Sequence, residues 1–146
     1  MRNHSKIESI GRVIDANLNR AKEGLRVCEE ISRFILNNQF LATNIKKIRH
    51  KIDDIAKGLL PKSILLTGRD SLKDIGRDIL VNELKRNDIN DLFAANIQRV
   101  KESIRVLEEF SKLLNKECAV RFKKLRYILY DIEKKSAKKI AALSNR

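Results

Sequence analysis

Two stretches of the chain carry the same pattern of polar residues at helical spacing. The first is DANLNRAKEGLRVCEEISRFIL at 15–36, and the second is AANIQRVKESIRVLEEFSKLLN at 94–115. Most positions at which the two stretches agree are polar, whereas a helix repeated for packing alone needs only its apolar stripe. The repeated polar residues are therefore the first candidates for chemistry. They are Asn17, Arg20, Glu23 and Arg26 in the first copy and Asn96, Arg99, Glu102 and Arg105 in the second.

The position of these residues around the helix allows two hypotheses. Asn17 falls inside the apolar arc, and Arg20 and Glu23 run along its edge. A buried polar group without a partner costs about 1–3 kcal/mol, so such groups are either paired or bound to a ligand. One hypothesis is an Asn, Arg and Glu network that clamps helices together. The other is a site for an anionic ligand, because guanidinium groups bind phosphates and carboxylates in bidentate fashion. Its cationic lining would be Arg20, Arg26, Arg99 and Arg105.

The segment 61–87 between the copies has no counterpart elsewhere in the chain. Gly68 and Gly76 permit backbone conformations that other residues resist, and charged side chains surround both glycines. One interpretation is a solvated connector. The other is an active-site loop, since carboxylates bind hard cations, cations bind phosphates and glycines allow close approach. The residues for that chemistry are Arg69, Asp70, Asp74 and Gly76.

Apolar spacing predicts four long helices that position these groups, at about 6–36, 39–59, 88–114 and 118–143. The repeat extends to the second helix of each copy, because KKIRH at 46–50 parallels KKLRY at 123–127. The shift between copies falls from 79 (15 to 94) to 77 (49 to 126), so the second hairpin is two residues tighter.

We therefore predict one all-α domain over residues 1–146, built from a duplicated helical hairpin. Repeat one covers about 6–60, a specialised central loop covers 61–87, and repeat two covers about 88–143. The hairpins are expected to meet about a pseudo-two-fold axis as an antiparallel four-helix bundle, with the repeated polar stripes facing each other.

Charge and cysteine content restrict the function classes. The net charge is +13, and residues 121–146 hold nine basic and two acidic residues. Lysine-rich helix ends are usually solvated, and the absence of interleaved aromatic residues or zinc-ligand spacing argues against a nucleic-acid partner. Cys28 and Cys118 have the pattern of small core residues in a reducing compartment. With no apolar signal run or membrane span, these features predict a cytoplasmic protein without membrane contact. The wide apolar arcs are compatible with a homodimer.

The common nucleotide-binding and metalloprotease motifs GxxxxGK[ST], GxGxxG and HExxH are absent. Four other segments resemble a known family: RVIDANLNRAKEGLRVCEEISRFIL, a GRD…DIG loop, AANIQRVKESIRVLEEFSK and FKKLRYILYDIEK. That family is the second, ribokinase-unrelated type of hydroxymethylpyrimidine phosphate kinase, a helical domain found alone or fused ahead of thiamine phosphate synthase. The resemblance covers about Ile10 to Lys134.

The resemblance implies transfer of the γ-phosphoryl group of ATP, as co-substrate, to hydroxymethylpyrimidine monophosphate. A thiamine phosphate synthase would then be a separate partner. Our own hypothesis for the residues is that the arginines bind phosphates, the asparagines orient ligand or side chains, and Asp70 and Asp74 hold Mg²⁺. The predicted catalytic residues are Arg20, Arg69, Arg99 and Asp70. The predicted substrate-binding residues are Asn17, Glu23, Arg26, Asn96, Glu102, Arg105 and Gly76. Two alternatives without catalysis are a basic nucleic-acid-binding domain and a domain that docks on thiamine phosphate synthase.

Overall fold

The computed structural model describes residues 2–78 and 84–144, which contain helices and no strand. The helices are α1 (Arg2–Glu30), α2 (Gln39–Ala56), α3 (Lys62–Gly68), α4 (Ile89–Ser111) and α5 (Lys116–Ser144). A π-helical turn at Ile31–Ile35 continues α1. The four long helices match the four that apolar spacing predicts, and the all-α prediction is confirmed.

The long helices pack as a ring in which α1 contacts α2 and α4, and α5 contacts the same two helices. Neighbours are antiparallel. Along α1, Gly24 lies against Val100, and Cys28, one turn later, lies against the earlier Phe93. At the ends of the α2 and α5 pair, Gly58 lies against Cys118, and Phe40 lies against Lys135. The repeat shift of 77 relates position 58 to position 135 and position 41 to position 118. The contact of Gly58 with Cys118 therefore has its equivalent, to within one residue, in the contact of Lys135 with Phe40, as a pseudo-two-fold axis requires.

The core consists of the helical stripes that the sequence predicts. The thiols of Cys28 and Cys118 are buried and free. Ile7 and Ile35 are exceptions, because both side chains are exposed although they continue the apolar spacing of the first helix. Ile35 lies in the π-helical turn, where the extra residue per turn rotates the side chains out of register. Leu36 packs against the core beyond that turn.

The π-helical turn also explains the difference in length between the two hairpins. The first hairpin continues from α1 through Ile31–Ile35 and then places Asn37 at a φ of 48°. In the second hairpin α4 ends at Ser111, and the backbone N–H groups of Lys112, Leu113 and Leu114 each donate to the carbonyl three residues earlier. Asparagine tolerates the left-handed region better than most residues. The two residues by which the second hairpin is shorter are therefore removed at the turn between its helices.

The connector 61–87 is not a loop throughout, because it begins with the short helix α3. Pro61 precedes this helix, and Leu65 is buried against the core. None of the described glycines has a positive φ, so Gly68 and Gly76 do not use the left-handed conformations that glycine permits. Gly68 instead lies where α3 crosses α1, beside Glu8 and Arg12. Residues 79–83 lie outside the described part of the chain.

Within residues 2–78 and 84–144, none of the helices combines the length and the hydrophobicity that a membrane span requires.

Candidate functional site

A cleft of about 730 Å³ lies between α1, the residues that follow α3, and α4. It contains six of the residues predicted from the sequence. They are Asn17, Arg20, Glu23, Arg69, Asp70 and Asp74. The connector therefore lies over the polar stripe of the first copy. Arg20 and Arg69, expected to bind phosphate, line one cavity with Asp70 and Asp74, expected to hold Mg²⁺.

The charges in this cleft are nearly balanced. Its arginines are Arg12, Arg20 and Arg69, and its carboxylates are Asp15, Glu23, Asp70 and Asp74, which gives a formal charge of −1. A phosphate that enters alone would meet carboxylates as well as guanidinium groups. A phosphate that enters with a divalent cation would match this mixture of charges better.

The strongest polar contact in the cleft joins Asp15 of α1 to Arg69. Arg69 Nε and Nη2 donate to the two carboxylate oxygens of Asp15, each at 2.7 Å. Asp15 is only 7% exposed, and Asn19 Nδ2 donates to the same carboxylate at 3.4 Å. The hydrogen bond with Asp15, together with its charge, raises the pKa of Arg69. The pair fixes the end of α3 against α1 and holds one guanidinium group at the edge of the cleft.

The carboxylates of the connector stabilise two tight turns. Asp70 Oδ1 accepts from the backbone N–H of Lys73 at 3.1 Å, and Asp74 Oδ1 accepts from that of Gly76 at 2.9 Å. Gly76 is exposed and does not line the cleft. Among the described residues no three His, Cys, Asp or Glu side chains are grouped so as to hold a metal ion. Mg²⁺ usually binds through one or two carboxylates, with water and substrate phosphates as its other ligands, so Asp70 and Asp74 fit a site completed by a nucleotide.

The two repeated asparagines make the same local contact. Asn17 Nδ2 donates to the backbone carbonyl of Val13, and Asn96 Nδ2 to that of Leu92, both at 2.8 Å. Each bond reaches back one turn along its own helix, so one N–H of each side-chain amide is satisfied without a ligand. A role for Asn17 and Asn96 in orienting a ligand stays a prediction.

Asn96, Arg99 and Glu102 of the second copy are not among the residues that line the cleft. The lining residue from α4 is Val106. Arg99 is exposed, and Glu102 accepts a hydrogen bond from Gln98 at 3.2 Å. Asn96 lies where α4 crosses α1 at Gly24, one residue beyond Glu23. The two stripes thus run along the same antiparallel pair of helices. Participation of Arg99 and Glu102 in binding stays a prediction.

Arg26 and Arg105 belong to two equivalent clamps rather than to the cleft. In the first copy the buried Glu29 accepts from Arg49 of α2 at 3.2 Å and from Arg26 at 3.5 Å. In the second copy the buried Glu108 accepts from Arg126 of α5 at 3.1 Å and from Arg105. The repeat shifts relate these two sets (29 to 108, 26 to 105, 49 to 126). For these residues the structure has the helix-clamping network, and a phosphate contact by Arg26 or Arg105 stays a prediction.

A second cavity, of about 460 Å³, adjoins the cleft and shares Asp15, Asn19 and Arg69 with it. It lies between α1, α3 and the C-terminal end of α2, and its walls include Leu18, Leu60 and Leu65. The pair of Asp15 and Arg69 therefore lies between the cleft and this cavity, whose lining also includes Lys22, Lys57 and Lys62.

Residues 12–135 of the chain match the family model described as the ThiD2 family. The chain belongs to the ThiD2 family. This assignment agrees with the extent of the resemblance found in the sequence, which runs from about Ile10 to Lys134.

Curated relatives of this family member include three proteins named thiamine-phosphate synthase. The one from Synechocystis sp. is 41% identical over 128 residues, which cover 86% of this chain and 35% of the relative. The one from Nostoc punctiforme is 42% identical over 123 residues, covering 84% and 34%. The one from Rhodopirellula baltica is 33% identical over 144 residues, covering 98% and 38%. The chain thus spans about a third of the length of these relatives. No solved structure matches it significantly.

Sequence reasoning missed Asp15, Asn19 and Arg12, all of which line the cleft. For Asp15 a signal existed, because the two copies differ there: position 94, which is equivalent to 15, is alanine. A comparison that selects residues common to both copies discards such a position. Asp15 pairs with the unduplicated connector, and this is why it occurs in one copy.

Proposed function

We propose that this chain transfers the γ-phosphoryl group of ATP to hydroxymethylpyrimidine monophosphate, giving the diphosphate in thiamine biosynthesis. Membership of the ThiD2 family and the names of the curated relatives support a role in that pathway. The kinase reaction itself is implied by the sequence resemblance, and the cleft supports it. The single observation that carries the proposal is that Arg20, Arg69, Asp70 and Asp74 line one cavity of about 730 Å³.

This combination of groups suits phosphoryl transfer. Such reactions depend mainly on positioning two phosphorylated ligands and neutralising the charge between them, which arginines and a metal ion do together. The volume of the cleft is within the range of about 300–1,000 Å³ that small-molecule sites occupy. A cavity with both guanidinium and carboxylate groups fits a nucleotide that arrives with Mg²⁺.

In the proposed reaction an oxygen of the acceptor phosphate attacks the γ-phosphorus of ATP. The bond between that phosphorus and the bridging oxygen to the β-phosphate breaks, and ADP leaves. No general base is required, because the acceptor phosphate is already largely ionised near neutral pH. Arg20 and Arg69 neutralise the transferring group, and Asp70 and Asp74 hold the metal ion. Asp15 keeps Arg69 in place through its two hydrogen bonds.

The direct test is to follow the products by ³¹P NMR. The protein is incubated with ATP, Mg²⁺ and each member of a panel of phosphorylated pyrimidines. The proposal predicts ADP and a new diphosphate signal with hydroxymethylpyrimidine monophosphate, and neither product when Mg²⁺ is removed by a chelator. Absence of any diphosphate with this acceptor would contradict the proposal.

A second candidate, a non-catalytic domain that docks on thiamine phosphate synthase, is favoured by one observation. The matched relatives are named thiamine-phosphate synthases and are about three times as long as the matched segment. Sedimentation of the protein mixed with a thiamine phosphate synthase separates the two functions. A stable complex without turnover of the pyrimidine phosphate would favour docking over catalysis.

A further inference from the structure

We propose that the cavity beside the cleft is the compartment for the pyrimidine ring, while the acceptor phosphate lies on the cleft side of Arg69. This inference rests on the proposed function and adds to it the orientation of the acceptor. The cavity of about 460 Å³ is bounded by α1, the end of α2 and α3. Its walls combine the apolar side chains of Leu18, Leu60, Leu65 and Leu66 with charged groups that include Lys22, Lys57 and Lys62. Apolar walls with convergent polar groups are the usual environment of a small heterocyclic ligand.

The cavity is closed on one side by residues of the connector, which is not duplicated. Leu60, Leu65 and Leu66 form its wall on the side of α3, and Asp15 and Arg69 form its polar end. The connector has no second copy, and the equivalent of Asp15 is alanine. The residues that distinguish this side of the bundle from the other therefore include some that line the cavity.

The polar groups at the shared end suit a nitrogen heterocycle. Asp15 uses both carboxylate oxygens for Arg69, yet a carboxylate has about four acceptor positions, so it retains capacity to accept from a ring amino group. Asn19 lies beside it and has both a donor and an acceptor. At the far end of the cavity Lys22 Nζ and Asp53 Oδ1 form an ion pair at 3.0 Å.

Two rings could occupy this cavity, the pyrimidine of the acceptor and the adenine of ATP. The adjacency of the two cavities favours the pyrimidine. In hydroxymethylpyrimidine monophosphate a single methylene group and an ester oxygen separate the ring from the phosphate. The ring must therefore lie next to the group that binds that phosphate, and Arg69 lines both cavities. Adenine is separated from the transferring γ-phosphoryl group by the ribose and two further phosphates. An adenine in this cavity would place the γ-phosphoryl group well beyond Arg69.

The test uses a pair of matched substitutions. Leu66 lines the cavity and is 61% exposed, while Leu113, at the turn after α4, is 63% exposed and lines none of the cavities described above. The variant L66W narrows this cavity without disturbing the core, and L113W is its control. We expect L66W to raise KM for the pyrimidine monophosphate by about tenfold or more while leaving KM for ATP unchanged. L113W should change neither constant.

Several results would overturn the inference. One is an increase of KM for ATP in L66W, which would place adenine in the cavity. Another is an active L66W enzyme whose KM values for both substrates are unchanged. In that second case the kinase function would stand without the ring compartment. If the unaltered protein has no turnover, equilibrium binding of the pyrimidine monophosphate decides. Binding that L66W loses and L113W keeps would support the compartment, whereas equal affinity in both variants, or no binding by the unaltered protein, would refute it.

Discussion

Asp15 and Arg69 form the contact that joins the duplicated part of the molecule to the unduplicated part. A carboxylate as buried as Asp15 is stable only when its charge is matched, and the two 2.7 Å hydrogen bonds from Arg69 match it. The same contact holds a guanidinium group at the boundary of two cavities. One pair of residues thus contributes both to stability and to the geometry of the site.

The variant R69M is expected to lower the free energy of unfolding by about 1–3 kcal/mol, because it leaves the carboxylate of Asp15 without its partner. The double variant D15A/R69M should recover part of this loss, since alanine occupies the equivalent position in the second copy. Urea denaturation of both variants and of the unaltered protein measures the difference. Equal stability of R69M and the unaltered protein would mean that the pair does not hold α3 in place.

The buried thiol of Cys28 makes stability depend on pH in the alkaline range. Burial, together with the charge of Glu133, raises the pKa of Cys28 to about 12. The unfolded thiol ionises near pH 9, so between about pH 9 and 12 the unfolded state binds fewer protons and stability falls as pH rises. The expected loss is about 1.4 kcal/mol per pH unit above pH 9.

The control for this prediction is the variant C28A, which lacks the thiol but keeps Cys118. Its free energy of unfolding should decline less steeply between pH 9 and 10.5 than that of the unaltered protein, when both are measured by urea denaturation. Parallel pH profiles for the two proteins would show that Cys28 does not titrate at an elevated pKa.

At the level of helices, the crossing of α1 and α4 depends on Gly24. A Cβ atom at this position would lie 2.7 Å from Val100 Cγ2 and 3.0 Å from the backbone oxygen of Asn96. A Cβ at Gly11, on the same helix, would meet Leu60 at 3.5 Å, which is an ordinary contact. The backbones of α1 and α4 therefore approach each other closely at Gly24, beside Glu23 and Asn96.

We expect G24A to be less stable than G11A by about 1–3 kcal/mol, because the first substitution forces two helices apart. Alanine favours a helix over glycine by a similar amount at both positions, so the comparison isolates the clash. Thermal melting monitored by circular dichroism is sufficient. G24A melting at or above the temperature of G11A would contradict the observed helix crossing.

The structure of the hairpins could be predicted from sequence because duplication repeats its signals. The apolar spacing and the change of shift from 79 to 77 identified the four helices and the shorter second hairpin. The π-helical turn at Ile31–Ile35 was not predictable, since periodicity read at 3.6 residues per turn continues through it. For the same reason Ile35 continues the apolar spacing of the first helix although its side chain is exposed.

For the whole molecule, the sequence predicted the residues of the site less well than it predicted the fold. Arg20 and Arg26 both recur in the second copy, yet Arg20 lines the cleft and Arg26 pairs with the buried Glu29. The difference depends on Arg49 of α2, which pairs with Glu29. A contact between two helices cannot be predicted from the residue spacing within one of them. Asp15 was missed for the opposite reason, because it occurs in only one copy.

The central claim is that the cleft between α1 and the connector gathers the phosphates for transfer. It is tested most directly by kcat/KM for ADP release with hydroxymethylpyrimidine monophosphate in R20A. The control is R121A, which removes an exposed arginine of α5 that lies outside the cleft. The account predicts that R20A lowers kcat/KM at least about 100-fold, as loss of a charge-stabilising donor does, with an unchanged melting temperature, while R121A retains full activity. Equal activity of R20A and the unaltered protein would contradict the account.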